Sequence, residues 1–158
     1  MKYVNRIFAF AAIVALVFHT SCGDDTPDPD TEPTPGQEIT GTWAVMEEGD
    51  VTGEAKDKFS DFSITITATS SEVRFTTTGN GEALVFPSSG TFAVDASDNF
   101  KNGATVTRGA DNVETRITLS EDGNILTMNF TINIESTSAN GRVAGINGEY
   151  TFRLTKQS

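Results

Sequence analysis

The chain has 158 residues and a formal net charge of −11, from 22 acids against 11 bases, with one cysteine and one histidine. A lone cysteine forms no intramolecular disulfide, and His19 falls in what reads as a removable leader, so histidine triads, His-ligated zinc and histidine general bases drop out of the mature chain. The acidity also argues against nucleic acid and anionic headgroups as partners.

In chain order, Lys2 and Arg6 frame a short basic start, and Ile7 to Phe18 is an unbroken apolar run of twelve residues. That length suits the core of a signal peptide and falls short of the ~20 residues a spanning helix needs. His19-Thr20-Ser21-Cys22 resembles the lipobox of bacterial lipoproteins, with His19 where that family usually has an aliphatic residue. The resemblance implies that residues 1–21 are cut away and that Cys22 becomes the lipidated N-terminus, anchoring the chain to the membrane through lipid. Loss of Lys2 and Arg6 would leave 22 acids against nine bases, a charge of −13.

Residues 23–38, GDDTPDPDTEPTPGQE, hold four of the five prolines, six acids and no large apolar side chain. Such a segment has nothing to build a core from, so residues 22–38 are expected to be a disordered, self-repelling tether, dispensable to folding. Asp24 and Asp25 just after the cysteine resemble the surface-export signal of lipoproteins of the Bacteroidetes group, which implies an outer-membrane, surface-exposed location.

From residue 39 to 158 the hydrophobic period is two. Leu126, Met128, Phe130, Ile132 and Ile134 alternate with Thr127, Asn129, Thr131 and Asn133, and Phe62, Ile64 and Ile66 alternate with Ser63, Thr65 and Thr67. That is the pattern of strands with one buried and one wet face. The alternation predicts eight strands, at 39–47, 62–69, 72–78, 90–95, 103–108, 112–119, 124–135 and 148–155. A long first loop over 49–61 has room for one helical turn. Asn80-Gly81, Asn102-Gly103, Asp122-Gly123, Asn140-Gly141 and Asn147-Gly148 supply turn residues between them. Eight sequential antiparallel strands close most economically into an up-and-down barrel, since closure removes unpaired edges; a two-sheet β-sandwich is the alternative.

The opening Ile39-Thr40-Gly41-Thr42-Trp43 and the closing Gly148-Glu149-Tyr150-Thr151-Phe152-Arg153-Leu154 resemble the first and last strands of lipocalin-like domains, carried by the Gly-x-Trp at Gly41 and Trp43. The resemblance implies that Trp43 plugs the closed end of a barrel, with an arginine near the last strand across it. Arg153 is the candidate for that arginine, yet the alternation with Phe152 and Leu154 turns it outward.

Few residues suggest chemistry. Asp95, Asp98, Asn99 and Asn102 are oxygen donors, but the twelfth position of a loop starting at Asp95, where an EF-type loop needs a bidentate acid, is Val106; a polar hairpin is the better reading. Glu121 and Asp122 are neighbours entering a turn, so their carboxyls diverge rather than flank a bond. No enzyme, metal or cofactor is indicated. Arg108 alone breaks the pattern, because Ala104 and Val106 mark its face as inward. Either its head bends from the strand end into water, which is the commoner fate of such a side chain, or it stands over an apolar lumen. In the second case Arg108 with Phe62, Phe75, Phe92, Val113, Ile134 and Tyr150 would form a rim suited to an amphiphile with a carboxylate. Two functions stay open: a binding module for a small apolar ligand or an envelope protein, and an accessory subunit whose barrel is filled by its own side chains.

Overall fold

The computed structural model describes residues 34–134 and 146–158. Nine strands form one antiparallel sheet: β1 (Gly41–Ala44), β2 (Val51–Thr52), β3 (Ser63–Ala68), β4 (Val73–Thr78), β5 (Ser89–Ala93), β6 (Ala104–Arg108), β7 (Glu114–Leu119), β8 (Ile125–Ile132) and β9 (Gly148–Lys156). From β3 to β9 every strand pairs with its sequence neighbour, β1 pairs with β3, and β1 also meets β9 with Trp43 opposite Lys156 and Ala44 opposite Thr155. The sheet therefore closes into an eight-stranded up-and-down barrel, with β2 as an additional short strand on β9. A sandwich would leave β1 and β9 unpaired with each other.

The eight expected strands are all present, and the two-residue alternation is the reason. Along β8, Leu126, Met128, Phe130 and Ile132 are buried; along β9, Tyr150, Phe152 and Leu154 are. Threonine covers the outer face, where cross-strand hydroxyls pair, as Thr42 does with Thr65 at 3.0 Å and Ser63 with Thr78 at 2.7 Å. β2 falls inside the stretch 49–61 expected to be loop, and the first strand is shorter than its expected 39–47. It breaks after Ala44, the chain bulges through Val45–Asp50, and β2 rejoins β9 with Val51 opposite Phe152. Asp50 causes the break: its carboxylate accepts the N–H groups of Met46 (3.1 Å) and Glu47 (3.0 Å), so those donors leave the ladder. The expected helical turn in this loop is a 3-10 turn at Lys56–Lys58.

The tether expected over residues 22–38 is corrected at its end. Residues 34–38 belong to the barrel: Gly36 packs against Val73 in a left-handed conformation, a 3-10 turn runs over Gln37–Ile39, and the Glu38 carboxylate accepts the Phe100 N–H at 2.8 Å. Glu38 and Ile39 thus help close the end of the barrel at which the chain enters. Residues 22–33 lie outside the described residues.

Candidate functional site

The interior is built around Arg108, the last residue of β6. A tight connection follows it, with Asn112 in the left-handed conformation (φ 59°) and its N–H bonded to the Arg108 carbonyl at 2.8 Å. This turn folds Asp111 back onto the guanidinium, whose Nε donates to Oδ1 at 3.1 Å and Nη2 to Oδ2 at 2.7 Å. The guanidinium points inward, with 0% exposure, rather than bending into water. It sits over two adjoining phenyl rings, 4.5 Å from the centroid of Phe86 and 4.5 Å from that of Phe130, and Nη2 also donates to the Val85 carbonyl at 3.2 Å. Burial holds the Arg108 pKa below its ordinary value, and Asp111 offsets part of that effect. Arginine nonetheless keeps its proton in proteins.

Phe86 comes from the β4–β5 connection, which enters the barrel instead of turning tightly at Asn80-Gly81. Val85 and Phe86 are both fully buried. The descent is made possible by two close backbone approaches. Gly79 (φ 63°) lies against the Asp61 carbonyl and Gly81 against the Lys58 carbonyl, where any Cβ would clash. The Asn80 amide then donates to the Phe86 carbonyl and accepts the Glu82 N–H at 3.1 Å. Once inside, the Phe86 ring packs on Phe62 at 5.4 Å, Phe75 at 5.6 Å and Phe130 at 5.6 Å, largely edge to face.

Of the residues expected at the ligand rim, Phe62 and Phe75 touch Phe86 directly. Phe92 joins through Phe75 (4.7 Å), and Tyr150 joins through Phe130 (5.6 Å). Val113 and Ile134 are partly buried at the edge of this cluster. Val113 accepts the Arg108 N–H through its carbonyl, and Ile134 is held by the Asn147 side-chain amide, which bonds both its N–H and its C=O. The candidate residues are thus brought together, but the space between them is occupied by Phe86 and Val85, with Phe59 packed on Phe62 and Phe152 beside it. Cys22 lies outside the described residues.

Trp43 is fully buried, and its Nε1 donates to the Ile39 carbonyl at 2.9 Å. The cation over its ring is Lys156, at 5.2 Å from the centroid. Arg153 turns outward and pairs with Asp50 at 3.1 Å. Burial alone would raise the Asp50 pKa, but the Met46 and Glu47 N–H groups and the Arg153 guanidinium together bring it below its ordinary value.

Sequence reasoning missed Val85, Phe86, Asp111 and Asp50. The first two carried a signal: Ala83-Leu84-Val85-Phe86 is an apolar run between strands, where a turn should be polar. The acids carried none, since neither sits at a telling spacing.

At the end of the barrel away from residue 34, Met46 (60% exposed) and Leu84 (57% exposed) are the large apolar side chains left in water among the described residues. Beside Met46 a cleft of about 410 Å³ is floored by Val45, Val51 and Phe59 and edged by Glu47, Glu48 and Asp57. Among the described residues no group of three or more His, Cys, Asp or Glu side chains could hold a metal ion, and no helix is long and apolar enough to cross a membrane.

Fold and site define the chain as an eight-stranded up-and-down barrel with a buried, internally paired arginine at its centre. Comparison with protein-family models, with curated proteins and with solved structures finds no match.

Proposed function

We propose that the chain is a lipid-anchored, lipocalin-like accessory protein of the bacterial outer membrane, carried on Cys22 and displayed at the surface, that binds an envelope protein through its outer loops. The observation that carries this reading is the occupation of the lumen. Arg108, the group best suited to receive a ligand carboxylate, already holds Asp111 and the Val85 carbonyl, and Phe86 fills the apolar space beneath it. An eight-stranded barrel is just wide enough to be filled by side chains or to hold one small ligand, and here Val85 and Phe86 take the ligand's place. The loops with Met46 and Leu84 lie at the opposite end of the barrel from residue 34 and leave these two apolar side chains in water. The proposal assigns no catalysis, cofactor or nucleic acid to the chain.

A photo-crosslinker placed at Met46 or Leu84 in living cells should give one discrete protein adduct, while a thermal-shift screen of fatty acids, sterols and quinones leaves the purified protein unmoved. A ligand that raises the melting temperature, without any adduct at either position, would reverse the assignment in favour of a small-molecule binder.

A further inference from the structure

Two buried side-chain polar atoms have no hydrogen-bonding partner in the protein among the described residues, Nη1 of Arg108 and Oγ1 of Thr115. Both side chains are fully buried. A polar atom cut off from water and left unpaired is costly, most of all on a charged group, and native interiors rarely leave one so.

The sheet register makes these two neighbours. Thr115 on β7 stands opposite Val106 on β6 and opposite Phe130 on β8. Arg108 is the next inward residue after Val106, which makes it a diagonal neighbour of Thr115 across the β6–β7 pair. Its guanidinium lies over the ring of Phe130, the side chain directly beside Thr115. Nε and Nη2 are taken by Asp111 and by the Val85 carbonyl, which leaves Nη1 as the guanidinium nitrogen without a protein partner among the described residues.

We propose that Arg108 Nη1 and Thr115 Oγ1 form a binding site for one neutral, water-sized molecule, an ordered water that accepts from Nη1 and bonds the threonine hydroxyl. The surroundings select that chemistry. Asp111 already balances the guanidinium, so an anion would bring a net negative charge into the interior, against the electron-rich faces of Phe86 and Phe130. A cation would meet the guanidinium itself. Water has both an acceptor for Nη1 and a donor for Oγ1, and buried waters are held by two to four polar groups of this kind. The site accounts for a charged side chain and a hydroxyl persisting in a plug otherwise made of phenyl rings.

The test is a crystal structure of the whole chain at atomic resolution, from crystals grown in sodium bromide. One peak within hydrogen-bonding distance of both atoms, without anomalous signal at the bromine edge, is the expected result. A bromide signal there would make the site an anion site and overturn the proposal, as would both atoms bonding protein groups with no peak between them. In solution, a water resonance exchanging slowly with the Arg108 guanidinium protons is expected. Thr115→Val, close in shape, should abolish that contact and lower the melting temperature by about 3 to 6 °C. An unchanged contact in the variant would show that Thr115 is no part of the site.

Discussion

The Arg108–Asp111 pair is asymmetric, and the asymmetry fixes what each substitution should do. Arg108 is fully buried, whereas the Asp111 side chain keeps 28% exposure. Asp111→Asn therefore strands a buried cation over two phenyl rings, and should cost about 3 kcal/mol or more in urea unfolding. Arg108→Met leaves a carboxylate that water still reaches and fills the space over the rings, so its cost should stay within about 1.5 kcal/mol. Finding the arginine variant the weaker of the two would contradict the placement of the guanidinium. Asp50 makes a second prediction, on pH. Its pKa is depressed on folding, so its contribution is complete above the ordinary aspartate range, near pH 4, and is lost as pH falls through the folded value. Asp50→Asn should destabilise the protein by roughly 2 kcal/mol at pH 7. The gap to wild type should close as pH falls through that folded value; a gap that persists in acid would mean that the carboxylate's charge is not what holds the bulge.

The β4–β5 connection is where element and interior meet. Its apolar pair replaces a ligand, so truncating Phe86 removes a ring that touches Phe62, Phe75 and Phe130. Phe86→Ala should cost about 3 to 5 kcal/mol and leave a hydrophobic cavity beside Arg108. That variant, unlike wild type, should then gain thermal stability from small neutral aromatic or aliphatic compounds, and a variant indifferent to all of them would show that the barrel collapses around the loss. The same segment marks the limit of what could be read from sequence. The strands were legible because each buries one face: Ile64 and Ile66 against Thr65 and Thr67 leave no other period. The inward face of Arg108 followed from Ala104 and Val106 in the same way, but its full burial did not, since a strand-end arginine more often bends its head into water. Phe86 was not legible, because a side chain entering the core from a loop obeys no period, and its descent depends on two glycines, Gly79 and Gly81, meeting backbone far away in sequence. The break in the first strand was hidden likewise, since Asp50 acts through backbone donors four and three residues before it.

At the scale of the whole molecule, the barrel is anchored by one proposed attachment and filled by its own side chains. Each buried methylene of an acyl chain contributes ~0.8 kcal/mol, and a lasting anchor takes more than one chain. Cys22→Ala should accordingly move the protein from the membrane fraction to the soluble one and abolish incorporation of labelled palmitate; equal membrane retention of both forms would remove the anchor from the account. The occupied lumen is the central claim, and native mass spectrometry of the protein purified from its own envelope tests it most directly. The account predicts a folded species whose mass is that of the polypeptide and its N-terminal lipid alone. A stoichiometric extra mass that departs only on unfolding, and that is identified as an apolar carboxylate, would contradict it.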